Sequence, residues 1–181
     1  MMNFVVAFVA LVGAVALLNL LLTVAVIRWL RDHESRLAAQ TGSAAGPNLL
    51  PMGSPAPEFD AVDVDGTAVS RESLAARPAL VAFLRTGCQP CERLLPELIA
   101  YAAATSAGRG RVFAVVTGRD AASLVQRLGE VATILSGAEA DRVAEAFTVT
   151  GFPTLYALQD GAVWAAGSSI GQVSAGVPAP A

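Results

Sequence analysis

The stretch ALVAFLRTGCQPC (residues 79–91) carries the strongest structural signal in this chain. Its first six residues are all apolar, which is typical of a strand buried on both faces of a sheet. Two cysteines, Cys88 and Cys91, then follow with two residues between them. Beyond the second cysteine the apolar residues recur with helical spacing, at Leu94, Leu95, Leu98 and Ile99. The stretch therefore predicts a buried strand that leads through the cysteine pair into an amphipathic helix.

This placement of the cysteines predicts redox chemistry. Cys88 is expected at the amino terminus of the helix, where unpaired N–H groups and the helix dipole favour the thiolate, which is the nucleophilic form. Pro90 falls in the first turn, where its missing N–H costs nothing. Cys91 lies three residues on and on the same face, near enough to resolve a mixed disulfide. Arg85 and Arg93 are candidate sources of further positive potential, with solvated surface residues as the alternative interpretation of both.

Three other interpretations of the cysteine pair compete with redox activity. Half of a zinc site would need ligands from elsewhere, and a static disulfide across so short a loop stabilises a fold little. Two inert buried thiols would be unusual at the start of a helix. We therefore favour a redox-active pair, with Cys88 as the nucleophile and Cys91 as the resolving cysteine.

Composition narrows the remaining chemistry. The chain has 181 residues with twelve arginines and no lysine, which excludes a Walker-type phosphate loop and a Schiff-base lysine. The single histidine, His33, lies beside the most apolar stretch, so a catalytic triad or a histidine-built metal site elsewhere is excluded. The net charge is −3 with no basic cluster, so nothing favours binding to nucleic acid. We expect no metal and no cofactor.

Residues 4–27 contain no charge and would form a helix of roughly 36 Å, long enough to cross a bilayer. A cleaved signal peptide fits poorly, because no basic region precedes the run and the run is longer than usual. We predict one retained transmembrane anchor with a juxtamembrane helix (1–37), an Ala/Gly/Pro/Ser-rich linker (38–57), a globular domain (58–166) and a flexible tail (167–181). Three arginines follow the span (Arg28, Arg31 and Arg36), so the positive-inside rule places the domain in the cytoplasm.

The globular part alternates strand and helix patterns. A hairpin is predicted around Asp65-Gly66, and a short helix capped by Ser70 follows it. Further strands are expected at 112–116 and 131–135, helices at 120–128 and 141–147, and a second hairpin (154–158 and 163–166) that turns at Asp160-Gly161. Such alternation predicts an α/β sheet with a buried centre.

These motifs resemble the thioredoxin-like superfamily, and within it the membrane-anchored TlpA/ResA-type thiol-disulfide oxidoreductases, which are related to the redoxin and AhpC-TSA proteins. The resemblance covers residues 58–166 and rests on the Phe59 to Ser70 region, on Cys88-Gln89-Pro90-Cys91 and on VTGFPT at 149–154. It implies a central mixed sheet flanked by helices, with an N-terminal β-hairpin extension after one transmembrane helix.

The resemblance also implies a substrate groove. Pro153 is expected to be a cis-proline that faces the disulfide, with the backbone of Phe152 available to pair with a substrate; Gln89 and Pro90 complete this groove. Two positions depart from the family. Gly87 stands where the family usually has tryptophan, and Ala82 stands where thioredoxins keep a buried acid, so Glu92 or water is the expected proton acceptor.

The function predicted from these features is a membrane-tethered thiol-disulfide oxidoreductase. It would exchange the Cys88–Cys91 pair with protein disulfide or dithiol substrates and with a redox partner that supplies or accepts electrons, and its N-terminal helix would contact lipid. The resemblance implies an extracytoplasmic domain, so the side of the membrane stays open. One alternative is a thiol-dependent peroxidase, for which Arg85 and Thr86 lie near the expected positions; another is a non-enzymatic, redox-switched binding module.

Overall fold

The computed structural model describes Gly13 and residues 49–76, 78–104 and 108–174. The chain divides into two units, Met1–Thr41 and Gly42–Ala181, and the second is described below. The predicted anchor lies outside the described residues apart from Gly13, as does most of the predicted linker. Within the described ranges, no helix is both long enough and apolar enough to cross a membrane.

A small hairpin opens the domain, as predicted. Strands β1 (Asp60–Val62) and β2 (Ala68–Ser70) pair antiparallel on either side of a turn in which Gly66 has φ +83°, a left-handed conformation that glycine adopts readily. Helix α1 (Arg71–Ala75) follows, and at its start the Ser70 N–H donates to the Ser73 hydroxyl at 3.0 Å. Both elements are local in sequence, so turn and capping residues suffice to predict them.

The central sheet has five strands. They are β3 (Ala79–Arg85), β4 (Val112–Thr117), β5 (Thr133–Ser136), β6 (Thr154–Gln159) and β7 (Ala162–Gly167), in the spatial order β5-β4-β3-β6-β7. Strands β4 and β5 run parallel to β3, whereas β6 and β7 continue antiparallel, so the sheet is mixed as expected. The strand that carries the cysteines at its end is thus the central one.

Helices cover both faces of this sheet. They are α2 (Gln89–Ala104), a 3₁₀ turn (Gly108–Arg111), α3 (Ala122–Leu128), α4 (Ala138–Ala146) and α5 (Ile170–Ser174). Side chains of β3 alternate between two hydrophobic clusters, because successive strand residues point to opposite faces. Leu80, Ala82 and Leu84 join one cluster with α2, α3 and α5, and Val81 and Phe83 join the other with α4 and the hairpin.

The structure differs from the predicted domain limits at both ends. Residues 53–56 run beside β7 instead of forming a free linker: the Gly53 N–H donates to the Val163 carbonyl at 2.7 Å, and Ala56 is buried. At the other end, residues 170–174 form α5 instead of a loose tail, with Ile170 and Val173 buried against the first cluster. Local sequence misses both segments because tertiary contacts order them, and short helices owe their stability mostly to packing.

Candidate active site

Cys88 and Cys91 form a disulfide at the junction of β3 and α2, with their Cα atoms 5.3 Å apart. Between strand and helix, Gly87 has φ +71°, a left-handed conformation that favours glycine. The Cys88 N–H donates to the Arg85 carbonyl at 3.3 Å, and the Glu92 N–H donates to the Cys88 carbonyl at 3.1 Å. Cys88 therefore precedes the first helical residue, which is the position predicted for the nucleophile.

The two sulfur atoms occupy different environments. Cys88 is half-buried, whereas Cys91 is 1% exposed and belongs to the hydrophobic cluster beneath α2. The Cys91 N–H donates to the Cys88 sulfur at 3.3 Å, and a backbone donor at this place stabilises negative charge on that sulfur after reduction. Cys88 is thus the more accessible of the two cysteines, and Cys91 is shielded from solvent.

The loop before β6 lies against the same sulfur. The Phe152–Pro153 peptide bond is cis, as the resemblance implies, and Pro153 is buried. The Phe152 carbonyl oxygen lies 3.7 Å from the Cys88 sulfur, although the two residues are 64 positions apart in the chain. Pairing of Phe83 with Thr154 brings them together, since β6 begins beside the end of β3.

Arg85 contacts this loop as well. Its guanidinium carbon lies 4.4 Å from the centroid of the Phe152 ring, within the range of a cation–π interaction. The arginine predicted as a source of positive potential is therefore stacked on the residue before the cis-proline. Gln89 and Pro90, the other predicted groove residues, are exposed on the first turn of α2.

The other candidate residues lie elsewhere. The Thr86 N–H donates to the Thr117 carbonyl at 3.0 Å, so Thr86 continues the contact between the β3 and β4 ends. The Glu92 carboxylate forms an ion pair with Arg127 at 2.7 Å, with both side chains about half exposed. The structure brings Phe152 and Pro153 to the disulfide, stacks the Arg85 side chain on Phe152 and directs Glu92 to α3.

Apolar groups surround the inner sulfur. Ala82 is fully buried in the same cluster as Cys91, and no Asp, Glu or Arg side chain is buried among residues 49–76, 78–104 and 108–174. Across those ranges, no three His, Cys, Asp or Glu side chains are grouped to hold a metal ion. Cys91 therefore lies in an apolar environment.

One feature beside the disulfide was missed from the sequence. The loop between β4 and α3 reaches the turn before Cys88 and forms a polar pocket with it, to which Arg119 and Asp120 contribute. A signal was present, because charged residues directly after a buried strand lie at the carboxyl edge of a parallel sheet, where ligands commonly bind. The missing information was that β3 and β4 are neighbours.

Comparison with known proteins places the chain in a family. The AhpC/TSA family model matches residues 52–162, which is more than half of the chain. The search of curated proteins found no match to the chain. A solved thiol:disulfide interchange protein from Bacteroides sp. is similar at 25% identity and a TM-score of 0.52, over 65% of this chain and 81% of that one.

Two further solved structures show the same fold. A thio-disulfide isomerase from Thermus thermophilus has 20% identity and a TM-score of 0.54, over 66% of this chain and 87% of its own. A thioredoxin family thiol:disulfide interchange protein from Chlorobium tepidum TLS has 24% identity and a TM-score of 0.52, over 65% and 86%. The resemblance to thioredoxin-like thiol-disulfide proteins is confirmed, while its membrane-anchored part stays a prediction, and the fold is thioredoxin-like with a central mixed sheet. With the family model matched across the whole site, the chain belongs to the AhpC/TSA family.

Proposed function

We propose that this protein is a membrane-tethered thiol-disulfide oxidoreductase that exchanges its Cys88–Cys91 pair with protein disulfides and dithiols. One observation carries the proposal: a disulfide at a helix amino terminus presents its half-buried Cys88 beside the Phe152 carbonyl, 3.7 Å from the sulfur. The likeness to thiol:disulfide interchange proteins supports it. We also propose that a redox partner supplies or accepts the electrons.

The exchange has two steps. The Cys88 thiolate attacks a disulfide of the partner, forms a mixed disulfide and releases one thiolate of the partner. Cys91 then attacks the Cys88 sulfur, which forms the Cys88–Cys91 disulfide and releases the second thiolate. The released thiolates or water take up the Cys91 proton, because the Glu92 carboxylate is bound to Arg127 and Ala82 offers no acid. Each step also runs in reverse.

Single-cysteine variants test this mechanism. Cys88→Ser should lose the reduction of insulin disulfides, whereas Cys91→Ser should accumulate a mixed disulfide with a partner, seen as a shifted band on a non-reducing gel. Cys91→Ser keeps the accessible sulfur, so it is the matched control for Cys88→Ser. Retention of insulin reduction by Cys88→Ser, or a purified protein without a reducible disulfide, would contradict the proposal.

Tethering is a separate part of the proposal and rests on the uncharged run at residues 4–27. The side of the membrane decides the direction of exchange, since a cytoplasmic domain is kept reduced and an external one meets an oxidising compartment. A membrane-impermeant thiol reagent applied to intact cells, after reduction, distinguishes the two. Labelling before permeabilisation indicates an external domain, and labelling only after permeabilisation indicates a cytoplasmic one.

The two alternatives are less well supported by the geometry. A peroxidase would require Arg85 and Thr86 at the attacking sulfur, but Arg85 is stacked on Phe152 and the Thr86 hydroxyl faces Gly118. Rapid peroxide consumption that depends on Cys88 would reverse this ranking. Capture of the same partner by wild type and by a Cys88→Ala, Cys91→Ala protein would favour a binding module.

A further inference from the structure

The polar pocket beside the disulfide has a volume of about 320 Å³. Thr86, Gly87 and Glu92 form one wall, and residues of the loop and helix after β4 form the other (Arg119, Asp120, Ser123 and Leu124). Gly87 directly precedes Cys88, and a Cβ built on it would have no atom within 4 Å. The volume is at the lower end of the range for ligand pockets, which suits one group the size of an amino acid.

The backbone holds the two walls together. Gly118 has φ +97°, and a Cβ at this position would collide with the Thr86 hydroxyl, so glycine permits the close approach of the loops. Asp120 also has a positive φ of +58°, a conformation that aspartate tolerates better than most residues. Because the fold fixes this loop next to Gly87, the side chains of Arg119 and Asp120 are placed at the pocket by the backbone.

The charges in the pocket are not all compensated within the protein. Glu92 is neutralised by Arg127 at 2.7 Å. Arg119 and Asp120 form no ion pair with any residue in the described part of the chain. Within the described part of the chain, the adjacent residues Arg119 and Asp120 therefore give the pocket a cation and an anion without ionic partners, both on exposed side chains. A ligand that carries both a carboxylate and an ammonium group complements them, and an α-amino acid is the smallest such group.

We propose that this pocket binds the α-amino-acid group of low-molecular-weight thiols and disulfides, and that such molecules exchange with Cys88–Cys91. The inference rests on the proposed thiol-disulfide exchange. In the reducing direction, the Cys88 thiolate attacks a disulfide RSSR, forms a Cys88–SR mixed disulfide and releases RS⁻. Cys91 then displaces the second RS⁻ and closes the Cys88–Cys91 disulfide. One RSSR and two protein thiols thus give two RSH and one protein disulfide.

The test measures single-turnover oxidation of the reduced full-length protein by four disulfide probes. Cystine carries both charges, cystamine only the ammonium, dithiodipropionate only the carboxylate, and 2-hydroxyethyl disulfide neither. Each rate is divided by the rate of the same probe with dithiothreitol, which removes differences in intrinsic reactivity. On this scale we expect cystine to exceed 2-hydroxyethyl disulfide by about two- to fivefold for each charge, the range of exposed ion pairs.

Variants of the two charged residues should separate the charges. Arg119→Gln should remove the higher normalised rate of the carboxylate-bearing probes. Asp120→Asn should remove the higher normalised rate of the ammonium-bearing probes, and it keeps the backbone because asparagine tolerates the positive φ of position 120. Arg93→Gln is the matched control, since it removes the same charge from an exposed site on α2 outside the pocket. Ser123→Phe should slow the oxidation of the protein by cystine, because the phenyl ring fills the pocket without changing the charge of the pocket.

The outcomes separate the two proposals. If the wild type reacts with neither insulin nor any of the four probes, the proposed function fails. If it reacts with insulin and 2-hydroxyethyl disulfide but shows no normalised preference for cystine, the pocket inference alone is overturned. A preference that survives Arg119→Gln and Asp120→Asn, or that Arg93→Gln removes equally, overturns it as well.

Discussion

Replacing Arg85 by glutamine removes the guanidinium that lies 4.4 Å from the centroid of the Phe152 ring. Arg85 is exposed and Phe152 half-buried, so the contact belongs to the weaker, solvated class of cation–π interactions, at about 0.5–1 kcal/mol. The free energy of unfolding should fall by that amount. For a domain of this size the melting temperature should fall by about 2–6 °C.

A double-mutant cycle isolates this contact from the other effects of each substitution. Unfolding by denaturant is measured for wild type, Arg85→Gln, Phe152→Leu and the double variant. The coupling energy should be about 0.5–1 kcal/mol. Arg93→Gln combined with Phe152→Leu serves as the control cycle, because Arg93 is an exposed arginine of α2, and its coupling should be near zero.

The same contact should affect exchange, because the Phe152 carbonyl lies 3.7 Å from the Cys88 sulfur. If Arg85 holds this loop in place, Arg85→Gln should slow insulin reduction by about two- to fivefold, the equivalent of the lost contact energy. Arg85→Lys keeps the charge but not the planar stacking, so it should recover only part of the rate. A coupling below about 0.3 kcal/mol, the scatter of independent sites, would refute the assignment of Arg85 as a positioning residue.

Three other predictions concern the framework. Phe147 is fully buried, and its ring centroid lies 5.1 Å from that of Phe83 and 5.6 Å from that of Tyr156. Phe147→Ala should therefore lower the free energy of unfolding, measured by chemical denaturation, by about 3–5 kcal/mol. Trp164 is 52% exposed, so Trp164→Ala should lower it by less than about 1 kcal/mol. Both Gly118 and Gly66 have positive φ, but only at Gly118 would an added Cβ collide with Thr86. Gly118→Ala should therefore lower the free energy of unfolding by about 1 kcal/mol or more beyond the effect of Gly66→Ala. Equal losses of stability in the two variants would contradict that packing. Burial raises the pKa of Tyr156, so the folded state holds this proton more tightly than the unfolded state does. Stability should therefore fall as the pH rises through the ordinary tyrosine range, and Tyr156→Phe should flatten that part of the pH–stability curve; an unchanged curve would count against it.

The elements around the disulfide follow from local sequence. Six apolar residues before the cysteines indicate a strand buried on both faces, and the structure has β3 from Ala79 to Arg85 with six of its seven residues buried. The Asp65-Gly66 and Asp160-Gly161 turns likewise mark both hairpins. Less of the carboxyl end was predictable. The glycine-rich segment that contains α5 has weak helical propensity, and burial of Ile170 and Val173 is what orders it.

The sequence by itself determined where the candidate chemistry lies: two cysteines at a strand–helix junction, in a chain without lysine, predict thiol exchange beside backbone donors. Only the tertiary structure decided what surrounds them. The contact of Phe152 with Cys88, the stacking of Arg85, the pairing of Glu92 with Arg127 and the pocket at Arg119 each join segments distant in the chain. The physical reason is that strand order sets such contacts. A hydrophobic pattern shows which residues are buried, but many strand orders bury the same residues, and only those with β3 between β4 and β6 bring the ends of β3 and β4 beside the start of β6.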